Sequence, residues 1–431
     1  MLFQSNPIRG SLRTEAHEAQ APISRSNRGG RSLALTPTLR TTPDATAGSP
    51  IPPSLYVGFA VASIGGPLAL SAIYLPGTGD LRSAGLLAVV GSVLYAFPLL
   101  VWLRYSEEIV SAGGLAAFVE AAVGRRAALV QATVWSISYF LYLPYTVTDI
   151  VYEMLADIFP GIEPWRWVIE VTMPVALVGF VLLGTLPVLR VLLVSAAAQL
   201  VLMLILGGVM IGHTGAPGSS FTHAASTHEI ARGGTRIALL FLCGSLPIFL
   251  GAEAVGGART VRRGISTAAV VVAAYLIFAA FPLAAVDPAL SHANLPGFAI
   301  AGAYSGRGLA IVIGVGAAAS VAGLIVAEYL ALSRLLFAVF GVPVRRILKW
   351  IAVPFIAIDA ISIINPEEFD ENVLRPSLVA LFLSQLIVFA VFPIYRRRRG
   401  KLSPLDVVLA AVAFALMSYG LYRAIIEPVS T

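Results

Sequence analysis

Few side chains in this 431-residue sequence can do chemistry, and the informative ones sit inside apolar runs. Three are acids: Asp149, Glu253 and Glu328. An ionised carboxylate at membrane depth is costly, so it lines a wet cavity, pairs, or takes up a proton. Glu253 is the expected titrating group, or else a structural acceptor for backbone amides freed by the break in its span, and a relay would have to use Glu253, Asp149 or Glu328. Ser320, beside Ala319, is the one obvious hydroxyl for an oxygen cage around sodium. The histidines (His17, His213, His223, His228 and His292) lie in the tail or in polar loops. None pairs with cysteine at metal-ligand spacing, so no metal site is expected. The single cysteine, Cys243, cannot form an intrachain disulfide. There is no nucleophile elbow, phosphate-cradling loop or paired His-Glu helix motif, so neither an enzyme nor a cofactor is expected.

The elements that must position these groups follow from composition. The chain is 58% hydrophobic and 12% charged, with a mean hydropathy of +0.85. Soluble domains carry about 25% charged residues, so this is an all-α membrane protein. The net charge of +6 would hint at nucleic acid in a soluble chain. Here the arginines cluster in short loops and in the N-terminal tail, which points to topology and to no nucleic-acid partner. Residues 1–53, rich in Ser, Thr, Pro, Gly and Arg, read as a disordered cytoplasmic tail. They contain no apolar run that could serve as a signal peptide. Residues 54–431 form one polytopic domain.

Crossing about 30 Å of hydrocarbon takes roughly 20 apolar residues. Windows of that kind fall at 55–76, 84–103, 127–155, 165–186, 188–212, 237–257, 265–286, 309–340, 347–364, 376–395 and 404–425, about eleven spans. The segment 347–364 is the weakest, being short and carrying Asp359. With the N-terminus in the cytoplasm, Arg104, Arg125, Arg126, Arg190, Arg259, Arg262 and Arg263 fall inside. So do Arg345, Arg346, Lys349, Lys401 and the run 396–399. Glu367, Glu368, Asp370 and Glu371 fall outside, and so does the C-terminus. Positive charge stays inside at nearly every turn, as insertion requires.

Two spans are interrupted. The first contains Ser63, Ile64, Gly65, Gly66 and Pro67 in sequence; the sixth contains Gly244, Ser245, Pro247 and Gly251. Proline removes a donor and glycine leaves helical geometry cheaply. The freed backbone groups survive only against protein or a water-filled cavity. Either break alone reads equally well as a kink. Both fall at the start of successive five-span blocks, the pattern of a five-plus-five inverted repeat with a site between broken helices. A polar stripe on the third span (Gln131, Trp135, Ser138, Tyr142, Tyr145 and Asp149) shares one helix face. The breaks, Ser138 and Tyr142 therefore form the expected substrate site, with Glu253, Asp149 and Ser320 as coupling residues. A bulky side chain at Gly66 is expected to fill the space left by the break.

With the breaks located, the sequence resembles the amino acid–polyamine–organocation superfamily of permeases, which have a LeuT-like fold. The resemblance rests on Leu75-Pro76-Gly77, Tyr105-Ser106-Glu107, Ser111 to Phe118 with Gly113 and Gly114, Phe249 to Glu253 before the basic turn 259–263, and Ser333-Arg334. It runs over residues 55–425. It implies a secondary transporter working by alternating access, as symporter or antiporter, for an amino acid or related amine, with the proton as coupling ion. The sequence departs from the family at the first break, in lacking a lysine in span five, and in span count. A nutrient-sensing receptor subunit of the same fold, as in spore germination, is the alternative.

Overall fold

Backbone in hydrocarbon has to bond to itself, and helices do this within one segment. The computed structural model describes residues 50–426 except 79, 80 and 224. The expected tail therefore lies outside the described residues up to 49, as does the C-terminal end from 427 on. Secondary structure among the described residues is helical apart from one isolated bridge.

Among the described residues, ten helices are long and apolar enough to cross a bilayer. The first five are Pro53–Tyr74, Leu81–Tyr105, Arg125–Ile158, Pro160–Leu182 and Thr185–Thr214. The others are Thr227–Glu253, Ala258–Ala285, Arg307–Phe340, Pro366–Arg398 and Pro404–Ile426. They make this a multi-pass membrane protein. The expected span 347–364 does form a helix, Val344–Ser362. Arg345, Arg346, Lys349 and Asp359 give it too much charge to count with the ten.

The interrupted spans are the central ones. The apolar window of the first is 89% buried and that of the sixth 67%, against 22% for the fourth. A helix so enclosed has protein on every side, the condition under which broken backbone is tolerated at depth. The first span runs as α-helix over Pro53–Ser63, breaks, and resumes at Pro67. Gly65 and Gly66 sit at φ 60° and 62° across the break. Only glycine takes this region without strain. Space is lacking as well. A Cβ on Gly65 would lie 2.9 Å from the Leu240 carbonyl oxygen, and one on Gly66 2.5 Å from Ser320 Oγ. The first break is thus a close approach of chains, and the room expected beside Gly66 is occupied by the eighth span.

The sixth span changes helix type without a gap. A capping box starts it: Ser226 Oγ accepts from the Glu229 amide, while the Glu229 carboxylate accepts from the Ser226 amide. α-Helix continues to Leu240, and Leu242–Glu253 follows as 3₁₀ helix around Pro247. Twelve residues is long for a 3₁₀ helix, whose hydrogen bonds are poorer than those of an α-helix. Tertiary contacts supply the difference. Tyr56 Oη donates to the Pro247 carbonyl at 2.7 Å. Ile51 bonds to both sides of Ala254, its amide to the Glu253 carbonyl at 2.8 Å and its carbonyl to the Val255 amide at 3.0 Å. The start of the first span is thereby tied to the end of the sixth.

Candidate functional site

A cavity of about 130 Å³ lies between the two interrupted spans. The first span contributes Gly65, Leu70 and Tyr74, and the sixth Leu239, Leu240, Leu242 and Cys243. Leu70–Tyr74 is a π-helical turn, and such bulges recur at functional sites. The third span adds Ser138, Tyr139 and Tyr142, and the eighth Val321, Leu324 and Glu328. Leu378, Leu381 and Phe382 of Pro366–Arg398 complete the wall.

Glu328 is the one formally charged side chain of this lining. It is wholly buried, and neither carboxyl oxygen has a hydrogen-bond partner among the described residues. A carboxyl in that state requires a proton or a cationic partner. Its position follows from helix geometry. Val321, Leu324 and Glu328 lie at i, i+3 and i+7, one stripe of the eighth span.

Aromatic rings pack behind the cavity-lining Tyr139. The rings of Trp135 and Phe249 lie 4.3 Å apart, and those of Trp135 and Tyr139 4.1 Å. Phe249 presses on Gly114, whose φ of 51° and missing side chain admit the ring. The stripe on the third span thus divides. Gln131 and Trp135 are packed into the core, while Ser138 and Tyr142 face the cavity.

Of the residues expected from sequence, Gly65, Ser138 and Tyr142 line the cavity directly. Ser63, Ile64, Gly66 and Pro67 are buried at the break beside it, and Ser63 Oγ donates back to the Phe59 carbonyl. Gly244 packs toward Tyr95 and Ile64. Ser245 Oγ accepts from Gln385 Nε2 at 3.4 Å, and Pro247 accepts from Tyr56. Gly251 lies farther along the 3₁₀ helix against Val261 and Val110. Ser320 Oγ donates to Gln199 Oε1 at 2.7 Å and accepts from the Ala69 amide at 3.4 Å, joining the first, fifth and eighth spans. Asp149 is half-buried and opens the π-helical turn Asp149–Met154 of the third span, away from the cavity lining.

Glu253 stands at the arginine-rich end. Its Oε1 accepts from Arg334 Nε at 2.9 Å and its Oε2 from Arg334 Nη2 at 3.3 Å, while Nη2 also donates to Thr185 Oγ1. A forked pair of this kind fixes both partners. Fifth, sixth and eighth spans are latched there, next to the Ile51 bridge. Sequence reasoning missed the leucine and phenylalanine walls, because an apolar residue facing a cavity reads like one facing lipid.

No known protein family matches the sequence, and no curated protein is similar enough to stand as a relative. Solved structures do match. A mutant of the Eremococcus coleocola manganese transporter aligns with a TM-score of 0.62 at 12% identity, covering 94% of this chain and 91% of that one. The same transporter in complex with an aromatic bis-isothiourea compound aligns at 0.60 and 11% identity, over 92% and 89%. MhsT in complex with L-phenylalanine aligns at 0.60 and 14% identity, over 85% and 97%. At these identities the likeness speaks for the fold: the chain has the LeuT-like architecture of broken first and sixth helices.

Proposed function

We propose that this protein is a secondary transporter for a small amine or amino acid, whose ammonium group pairs with Glu328 in the central cavity. The carrying observation is that carboxyl: buried, without a partner, and facing the space between the interrupted spans. The residues lining the cavity offer one formal anion and no formal cation, which favours a positively charged guest. Its 130 Å³ is close to the volume of about 150 Å³ that holds benzene in an engineered cavity. The guest is therefore compact, and Ser138, Tyr74 and Tyr142 can orient its polar groups. The structural neighbours include a manganese transporter and a protein holding L-phenylalanine, so the fold itself leaves the solute open.

Coupling to protons follows from the same residue. When the ammonium leaves, Glu328 returns to neutrality by taking up a proton, since an isolated charge at this depth is costly. Glu253, whose carboxylate is held by Arg334, serves as part of the latch. Reversal of that latch, with the Arg-rich end on the cytoplasmic side, would open the cavity to the other face.

The test is uptake of a panel of labelled amines and small amino acids into liposomes, driven separately by a pH gradient and by a sodium gradient. The expected result is accumulation on the pH gradient, abolished in Glu328→Gln. Uptake that persists in a well-folded Glu328→Gln protein would remove the assignment. Tight binding with no uptake would favour the sensor reading.

A further inference from the structure

A second pair of buried acids lies outside the central cavity, where the third span, the fourth span and the Val344–Ser362 helix meet. Glu170 of the fourth span is wholly buried. Its Oε1 is in hydrogen-bond contact with Thr148 Oγ1 and with Ser362 Oγ, each at 2.7 Å. Its Oε2 has no partner among the described residues. One turn before Ser362, Asp359 is also wholly buried, and neither of its carboxyl oxygens has a partner among the described residues. Ser362 Oγ also lies 2.7 Å from the Asp359 carbonyl, so one hydroxyl touches both residues.

We propose that Asp359 and Glu170 share one exchangeable proton, forming a proton-uptake site separate from the central cavity. The hydroxyls of Thr148 and Ser362 meet Oε1, and each also reaches a backbone carbonyl of its own helix, Pro144 at 3.1 Å and Asp359 at 2.7 Å. Three carboxyl oxygens, Glu170 Oε2 and both of Asp359, have no donor among the described residues. Leaving buried polar atoms unmatched is expensive, and two adjacent negative charges in an apolar interior more so. One proton meets both demands. It converts one carboxylate to a carboxylic acid and donates to the other, with no further reactant. A metal cation fits poorly, because oxygen-bound cations such as calcium collect about six to eight ligands and only these three oxygens are free.

One cation stands near the pair, one helical turn before Glu170. The third span presents Tyr152, and the fourth presents Arg166, whose guanidinium lies 5.7 Å from the Tyr152 ring centroid and makes no ion pair with either acid among the described residues. The eighth span faces the Val344–Ser362 helix with Tyr329, bonded to the Leu348 carbonyl at the other end. Pro366–Arg398 adds exposed Glu367, Glu368 and Glu371 and the half-buried Arg375. The role of this proton in transport rests on the proton-coupled reading above; its presence does not.

Infrared difference spectra of the full-length purified protein, recorded as pH is stepped, test the site directly. Wild-type protein labelled with ¹³C at the aspartate side-chain carboxyl should shift a protonated-carboxyl band at neutral pH. Asp359→Asn should lose that band, and Glu328→Gln should keep it. A wild-type spectrum with no label-sensitive band at neutral pH overturns the proposal without needing any variant to fold. So does a melting temperature that rises with sodium in wild type and not in Asp359→Asn, which would make this a sodium site. Uptake on a pH gradient with the band absent would remove this site and leave the transport reading standing. The band present with no uptake of any solute would do the reverse.

Discussion

Several acids at the arginine-rich end of the molecule are held by ion pairs, whereas two wholly buried acids elsewhere, Glu328 and Asp359, make none among the described residues. Asp406 accepts from Arg104, from Arg396 Nε at 3.3 Å, and from the amide and hydroxyl of Ser403 at 2.9 Å. Glu253 is forked to Arg334, and Glu108 meets Lys401, Arg399 and Tyr395. Glu328 and Asp359 have no partner at all among the described residues. Structure explains the first group: these pairs fasten helix ends to one another. It does not explain the second, since an acid without a partner adds nothing to folding. Groups that cost stability and persist in a core are where function is to be sought.

The comparison makes its largest claim at Asp406. Asp406→Asn strips two arginines of their shared counter-charge, and Arg396, 9% exposed, keeps only the longer pair with Glu107 at 3.9 Å. Removing one partner of a buried pair costs roughly 3–5 kcal/mol. We expect about 3 kcal/mol from denaturant unfolding in detergent, because Arg104 is 26% exposed and partly hydrated. A loss below about 1 kcal/mol would mean that the cluster is decoration. Glu253→Gln comes next. The amide still accepts one bond from Arg334, and Thr185 still holds Nη2, so a loss of about 2 kcal/mol is expected. Glu328→Gln should sharpen the contrast by leaving the unfolding midpoint unchanged or slightly raised. A destabilisation of about 2 kcal/mol or more there would reveal a structural partner and place Glu328 with the first group.

Much of this was legible in the sequence, and the parts that were not share a cause. Hydropathy located the ten apolar helices because the bilayer sets their length. The segment 347–364, the weakest by hydropathy, forms the helix Val344–Ser362, with Arg345, Arg346 and Lys349 in its first half and Asp359 near its end. The breaks were visible as Gly65-Gly66-Pro67 and Pro247, since few residues other than glycine and proline interrupt a helix cheaply. How closely each break is packed depends on neighbours far along the chain, such as Ser320 beside Gly66 and Tyr95 beside Gly244. The same holds for charge. Glu253 and Glu328 are both acids in apolar runs, and only Arg334, 81 residues from Glu253, tells them apart. The eighth-span stripe Val321, Leu324 and Glu328 was present in the spacing, but nothing in one chain says which stripe of a fully apolar helix faces a cavity.

The smallest expected effect is at Glu108, and it tests whether pairing alone defines the first group. Glu108 lies in the connection after the second span, where Lys401 Nζ donates to Oε1 at 2.5 Å and Tyr395 Oη to Oε2 at 3.0 Å. The Lys401 hydrogen bond, aided by that from Tyr395 and by the charges of Lys401 and Arg399, holds its carboxyl below the usual carboxylate range. A group depressed in the folded state stabilises above its unfolded value, about 4.3 for glutamate, and loses that contribution as pH falls through the folded value. Wild type and Glu108→Gln should therefore differ by under about 1 kcal/mol at neutral pH, the range for exposed pairs. Their unfolding midpoints should converge below about pH 4 and also on raising salt, which screens surface charge. Midpoints that stay apart at low pH would show that Glu108→Gln acts through packing around Tyr395, and the pairing argument would then have to rest on the buried acids Asp406 and Glu253.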